Sequence, residues 1–400
     1  MCDERGALCG KILADLGAEV VKVEPPGGDT SRNVPPYLDT AKAGRQSLYS
    51  HAYNANKKAV TLNLDTSTGQ GMFLSLAKLA DFVLESFPPG HLQERGLSFE
   101  RLQHENPRLI MVSITPFGQT GPRAAYAATE ITCAAMGGVM YVIGDEDRPP
   151  VRISLGEQAF LHASAEAAAA AMIAHQWRQT TGAGQHVDVS VQEAVAWTLS
   201  ASARHYEISD YLGSRRGTRT QTGRIIRQHI FPCKNGYVTF LIQPGAIGAK
   251  PMRALVDWMA ELGMAGELKD MDFENLDMHK ITQEQIAQME KTFTAFFLRF
   301  AKEELLVEGT KRRFLVYPVN RPSDLRLDEQ LRYREFFATR EDPRLGVALA
   351  YQRPFLRGAI PARDAVSPAP QVGEHNRQVY QRLLGLSGDR VAELEAQDVV

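Results

Sequence analysis

Ala59-Val60-Thr61-Leu62-Asn63-Leu64, then residues 67–79, then Phe82-Val83-Leu84-Glu85 read in succession as strand, helix and strand. The first run alternates in side-chain character with the period of two that a half-buried strand requires. Residues 67–79 carry helical apolar spacing, and Thr66 or Ser67 offers a capping oxygen at its start. The four-residue return is a short apolar strand, so the whole predicts a β-α-β crossover. The rhythm extends outward in both directions. Residues 7–16 have helical spacing, Gly17 stops them, and Val20-Val21-Lys22-Val23 follows as a strand. Downstream, residues 99–105 read as helix, 108–114 as a buried strand, and Gln185-His186-Val187-Asp188-Val189-Ser190 as another. Strands alternating with helices across short turns predict an α/β fold with an open, doubly wound, mainly parallel sheet.

In such sheets the loops at strand carboxyl ends are the usual ligand sites. Three such loops stand out: Pro25-Pro26-Gly27-Gly28-Asp29 with Arg32 after it, Ser86-Phe87-Pro88-Pro89-Gly90, and residues 115–122. Arg32 could pair with a phosphate, although an exposed loop arginine reads equally well from position alone. No Gly-x-Gly-x-x-Gly and no Gly-x-x-x-x-Gly-Lys-Ser/Thr opens any helix, so dinucleotide and P-loop fingerprints are absent. His186 and Asp188 share one strand face, where solvation is the plainer role than catalysis.

A long alanine-rich helix predicted over residues 158–180 begins after the corner Leu155-Gly156-Glu157 and is closed by Gly182 and Gly184. A carboxylate in that first turn meets unpaired backbone N–H groups and the positive end of the helix dipole, both favouring its ionised form. Glu157 is thus placed as a nucleophile would be, and equally as an ordinary helix-stabilising acid.

With 400 residues, 44% hydrophobic and 23% charged, the chain is sized for two or three domains of an ordinary globular protein. A net charge of -2 gives no global pull toward nucleic acid or anionic membrane, so neither is expected as a partner. The four cysteines show no zinc or Cys-x-x-Cys spacing, which fits a reduced cytoplasmic protein without a metal site. No apolar run approaches the roughly 20 residues of a membrane span. Near Ser214 the composition changes: Arg215, Arg216, Arg219, Arg224 and Arg227 form a basic loop, a phosphate clamp or a solvated surface. Residues 230–240 then carry an Asn235-Gly236 hairpin signal. The β-α rhythm ceases after it. The expected organisation is a large α/β domain over 1–224, a smaller inserted α+β domain over 225–318, and a segment 319–400 returning to the large domain.

Asp15-Leu16-Gly17-Ala18-Glu19-Val20-Val21-Lys22-Val23-Glu24-Pro25-Pro26-Gly27-Gly28-Asp29, Glu85-Ser86-Phe87-Pro88-Pro89-Gly90, Asn106-Pro107-Arg108-Leu109-Ile110, Thr181-Gly182-Ala183-Gly184-Gln185-His186-Val187-Asp188-Val189-Ser190 and Gly373-Glu374-His375-Asn376 together resemble the family III CoA-transferases. The resemblance runs in order along nearly the whole chain. It implies an interlocked homodimer, or a heterodimer with a related family III subunit. It also implies CoA at the strand ends, with Arg32 near its phosphates and Leu62, Ser86 and Phe87 lining the nucleotide. No permanently bound cofactor is implied; the CoA thioester is a substrate, and its partner is a carboxylic acid. The family's catalytic aspartate follows a glycine at a helix start, a position filled here by Glu157. The implied reaction moves CoA through an enzyme-bound anhydride and an enzyme acyl-CoA thioester on that carboxylate. The alternative is a catalytically silent CoA-binding subunit, similar to one half of the two-subunit benzylsuccinate-type transferases. A racemase reading needs a His before the acidic residue, and Thr129 precedes Glu130. The resemblance further implies a strand ahead of the Cys9-Gly10 helix, so either the sheet lacks that strand or the chain begins upstream of Met1.

Overall fold

The computed structural model describes residues 1–153, 156–210, 215–222, 224–243, 245–277, 280–356 and 366–400. Leu155 of the predicted corner and Ser214 lie outside them. The chain forms two compact units, one of Met1–Val142, Val151–Gly213 and Glu329–Val400, the other of Ile143–Pro150 and Ser214–Asp328.

In the first unit, helix α1 (Ala7–Asp15) leads to strand β1 (Val21–Glu24). A hairpin, β2 (Tyr37–Thr40) and β3 (Gly44–Ser47), and helix α2 (Leu48–Asn54) follow. Strand β4 (Lys58–Thr61) enters α3 (Ser67–Leu79), whose N-cap Thr66 accepts the Gly69 amide. Then come β5 (Phe82–Glu85), the short helix α4 (His91–Glu94), α5 (Phe99–Glu105) and β6 (Ile110–Thr115). Helix α6 (Glu130–Met136) and the long α7 (Gln158–Thr181) precede β7 (His186–Ser190). All main pairings are parallel: β1 with β4, β5 with β6, and β6 with β7. The fold is therefore mixed α/β with a mainly parallel sheet.

One expectation changes. β4 and β5 flank α3 as predicted, but β4 pairs with β1 and β5 with β6, so the crossover through α3 does not join adjacent strands. The reason lies in the backbone parity. Lys58 and Leu62 amides bond to the Val20 and Glu24 carbonyls, which turns the N–H and C=O groups of Val21 and Val23 to the opposite side. Ile110 bonds to the Asp81 carbonyl, which likewise turns those of Phe82 and Leu84 away from β6. These two free edges line one cavity of about 410 Å³, with Leu13, Phe73, Leu76 and Lys57 around it. At its rim the Met1 amino group donates to the Leu84 carbonyl at 2.9 Å, and the Ser86 amide donates to Met1. Met1 thus pairs with β5 as a single parallel rung.

The outer edge of β4 is closed differently. Ala59 and Thr61 point their amides away from β1; His375 Nδ1 accepts the first at 3.2 Å and Asn376 Oδ1 the second at 2.9 Å. The Gly373-Glu374-His375-Asn376 motif therefore serves as a surrogate strand. The last two helices, Asn376–Leu384 and Gly388–Ala396, bury Val379, Tyr380, Val391 and Leu394 against the core that Val60, Leu62 and Phe73 share. Helix α7 lays Ala159, Ala163, Ala167, Ala171 and Ala174 on its buried face, methyl groups three or four residues apart that let it approach α1 and the sheet closely.

In the second unit, strands β8 (Arg219–Thr222) and β9 (Ile225–Gln228) form a hairpin, and β10 (Ile230–Cys233), β11 (Gly236–Phe240) and β12 (Val316–Pro318) an antiparallel sheet. Helices Gly245–Glu261, Gln283–Phe297 and Lys302–Arg312 cover it. Its core is aromatic, with Phe231, Phe240, Phe293, Phe296 and Phe297 buried edge to face. Cys233 pairs with Gly236, so the two-residue loop is Lys234-Asn235, one position earlier than Asn-Gly predicts. In the first unit, strands β13 (Phe337–Asp342) and β14 (Val347–Gln352) complete the chain's hairpins.

Candidate active site

Glu157 stands at the N-cap of α7 and makes no side-chain cap bond; its carbonyl accepts the Leu161 amide at 2.8 Å. The free amide of the first turn is taken by another acid. Glu130, the first residue of α6 and only 4% exposed, accepts the Ala159 amide at 3.2 Å through Oε1. Its Oε2 accepts Arg152 at 3.2 Å. The expectation that the helix end ionises Glu157 is thereby reversed. Burial raises its pKa above the ordinary 4.5, the Glu130 charge raises it further, and Arg152 pulls the other way.

The segment before α1 closes the other side. Ser164 of α7 donates to the Arg5 carbonyl at 2.8 Å, which holds residues 3–6 along the helix that carries Glu157. Glu4 in this segment has a buried Oε2 that accepts no hydrogen bond. Burial pushes its carboxyl up, Asp3 adds to this, and the Glu157 charge contributes. Tyr49 of α2 donates to the Glu4 carbonyl at 3.0 Å, and its ring packs on Tyr53 with centroids 4.5 Å apart. Both phenols are pushed up by burial, and both feel the Glu157 charge. Five side chains thus lie within electrostatic reach of Glu157: Glu130, Arg152, Glu4, Tyr49 and Tyr53. A half-buried carboxylate can act as a nucleophile, and a phenol hydroxyl beside it can donate to an oxyanion.

Sequence reading placed Glu157 but not Glu4, Tyr49 or Tyr53. Glu130 entered only as the residue after Thr129. Nothing periodic marks them; the Tyr49-Tyr53 spacing of one helical turn was the one local signal.

The other four expected residues lie at strand carboxyl ends. Leu62 directly follows β4 and is buried, while Ser86 and Phe87 directly follow β5. Ser86 Oγ donates to Asp3 at 2.8 Å, and the Phe87 ring stacks on His91 with centroids 4.2 Å apart. Arg32 follows β1 and is engaged: it donates to the buried Glu24 carboxylate and, at 3.1 Å, to the Pro370 carbonyl. A phosphate there would share the guanidinium with Glu24. Among the described residues no group of three or more His, Cys, Asp or Glu could hold a metal ion, and no helix is long and apolar enough to cross a membrane.

A parallel α/β sheet with loops at its strand ends and a half-buried carboxylate at a helix N-terminus is an arrangement in which a carboxylate can act as a nucleophile. The chain belongs to CoA-transferase family III, whose model matches residues 5–376. It is 33% identical over 381 residues to succinyl-CoA:(R)-benzylsuccinate CoA-transferase subunit BbsE of Thauera aromatica, covering 95% of this chain and 91% of that one. It is 31% identical over 397 residues to succinyl-CoA--D-citramalate CoA-transferase of Chloroflexus aurantiacus, covering 99% and 94%. A crystal structure of a CAIB/BAIF family protein from Brucella suis superposes with a TM-score of 0.77 at 28% identity, covering 95% of both chains. The protein is therefore a CoA-transferase, passing CoA from an acyl-CoA to a carboxylic acid, with the CoA thioester as substrate.

Proposed function

We propose that Glu157 is the nucleophile of this transfer. Its carboxylate attacks the thioester carbonyl of the donor, a C–O bond forms, the C–S bond breaks, and CoA leaves as thiolate. The thiolate then attacks the Glu157 carbonyl of the mixed anhydride, releasing the donor acid and leaving CoA as a thioester of Glu157. The acceptor carboxylate attacks that thioester, and CoA thiolate completes the exchange on the acceptor while Glu157 returns as carboxylate. Thioester energy is conserved through each covalent step. The observation that carries the reading is the half-buried carboxylate of Glu157, which makes no cap bond to its own helix, among Glu130, Glu4 and two tyrosines.

CoA is proposed to lie along the strand ends with Leu62, Ser86 and Phe87 at its nucleotide and Arg32 near its phosphates. Succinyl-CoA is the donor of choice to assay, because both relatives quoted above are named for it. A dimer is supported by large apolar side chains exposed on the first unit: Ile173 and Trp177 on α7, Trp197 and Ile208 beyond β7. The free thiols and an intracellular substrate support a cytoplasmic protein. A second reading, a silent CoA-binding subunit of a heteromer, is favoured by the likeness to a named subunit. Transfer of CoA from succinyl-CoA to a panel of dicarboxylic acids, with Glu157→Ala alongside, decides between them. Turnover lost in Glu157→Ala supports the first; CoA binding without turnover by the purified chain supports the second.

A further inference from the structure

Strand β7 carries two polar residues, His186 and Asp188, on one face, and the transfer chemistry uses neither. His186 reaches the interior of β6, and Asp188 reaches the loop that leaves it. His186 Nε2 lies 2.8 Å from Ser113 Oγ on the neighbouring β6. Ser113 is fully buried and faces the Glu85 carboxylate on β5, directly opposite in register. A Ser113 hydroxyl donating toward Glu85 accepts from His186, and the ring then carries its proton on Nε2. Glu85 in turn accepts the Phe87 amide at 2.7 Å through Oε2. A line of polar contacts runs across three parallel strands, from His186 through Ser113 and Glu85 to the turn at Phe87.

Asp188 forms the second arm. Its Oδ2 accepts the Gln119 amide at 2.9 Å, in the loop that leaves β6. At Gly118, with φ of +87°, the backbone lies so near that a Cβ would sit 3.4 Å from the Asp188 carboxylate. The outer end of the line is also held: the Phe99 ring of α5 stacks on His186, centroids 5.2 Å apart. The charged groups that act on the line are the Met1 amino group and Arg5 near Glu85, and Asp188 and Glu100 near His186.

The geometry points to β7 as a brace for the nucleotide half of CoA: His186, Ser113 and Glu85 are positioning residues that set the Ser86-Phe87 turn, and Asp188 sets the facing loop. This rests on the reading above that Ser86 and Phe87 line the nucleotide. The role is specific in chemistry: it concerns the 3′-phospho-ADP half of the ligand and not the pantetheine arm or the reacting thioester.

Calorimetric titration of the full-length protein with CoA, with 3′-phospho-ADP and with pantetheine tests it. Ser113→Ala is expected to weaken CoA and 3′-phospho-ADP by about five- to tenfold, the worth of one buried hydrogen bond, and to leave pantetheine unchanged. His186→Leu is expected to follow Ser113→Ala, and His186→Gln, which keeps a donor at the same place, to recover most of the loss. With succinyl-CoA the change should appear in KM with kcat within twofold. Equal affinities in wild type and Ser113→Ala, a loss that falls on pantetheine, or no rescue by His186→Gln would overturn the brace while leaving CoA binding at the strand ends intact. No binding of CoA by the wild type overturns both.

Discussion

Glu130→Gln separates the charge beside Glu157 from the shape that supports it. Glu130 is 4% exposed, with one oxygen on the Ala159 amide and the other on Arg152. Glutamine keeps an acceptor for the amide and removes the negative charge. The Glu157 carboxyl is held above 4.5 first by burial and then by Glu130, against the pull of Arg152. Without Glu130 the second cause vanishes, and Arg152 loses its competing partner. A like charge at close range is worth on the order of one pKa unit, about 1.4 kcal/mol. Attack requires the ionised form, so the acid limb of kcat/KM is expected to move to lower pH by about one unit. Stability responds more weakly. The Arg152 pair is 44% exposed on the arginine side and, after screening, contributes less than about 1 kcal/mol. Replacing a charged acceptor on the Ala159 amide by a neutral one costs roughly another 1 kcal/mol. The sign for Glu157 opposes these: its folded pKa exceeds the unfolded one, so its ionised form disfavours folding at neutral pH, and easing that ionisation returns part of the loss. The assay is kcat/KM for succinyl-CoA across the acid range in both proteins, with urea unfolding in parallel. An acid limb that stays in place or moves upward in Glu130→Gln refutes the reasoning.

Three further outcomes follow from the fold. Asn376→Ala removes the partner of the Thr61 amide and hydroxyl on a buried strand edge and is expected to cost about 2–3 kcal/mol, read by chemical denaturation; a loss under about 0.5 kcal/mol would show the motif is not closing the edge. Lys57 is buried, donates to the Ala7 carbonyl and Asn54, and is pulled down to about 7 from 10.5. Because its folded pKa lies below the unfolded one, stability relative to Lys57→Met should fall by up to about 5 kcal/mol as pH drops from 10.5 toward 7 and then level off; a flat difference would contradict it. Native-state hydrogen exchange should find the Val21, Val23 and Leu84 amides faster than the paired Lys22 and Val83 amides, and equal protection would mean the edges are closed in solution.

Much of the fold was legible where local rules and burial agree. Helix Ser67–Leu79 and strand Phe82–Glu85 have the bounds their spacing predicts, because a capping threonine and an apolar run define each without help from elsewhere. The pairing of β4 with β1 was not legible: side-chain alternation says which face is buried, not which neighbour accepts the amide. The Lys234-Asn235 loop shows the same limit at smaller scale, the register being set by the β11 partnership with β12. At the candidate site, the position of Glu157 could be read from a helix start, but its protonation could not. That depends on Glu130, 27 residues earlier, reaching the same helix end first. Glu4, Tyr49 and Tyr53 reach it only through the packing of α1 and α2 near α7, which no periodicity encodes.

The most direct test is chemical capture of the enzyme intermediate. The purified protein is incubated with succinyl-CoA, treated with hydroxylamine or borohydride, digested and mapped by mass spectrometry. A hydroxamate or alcohol at Glu157, formed only with the acyl-CoA and absent from Glu157→Gln, is the expected result. Clear CoA transfer to an acceptor acid with Glu157 unmodified, or full transfer by Glu157→Gln, would contradict it.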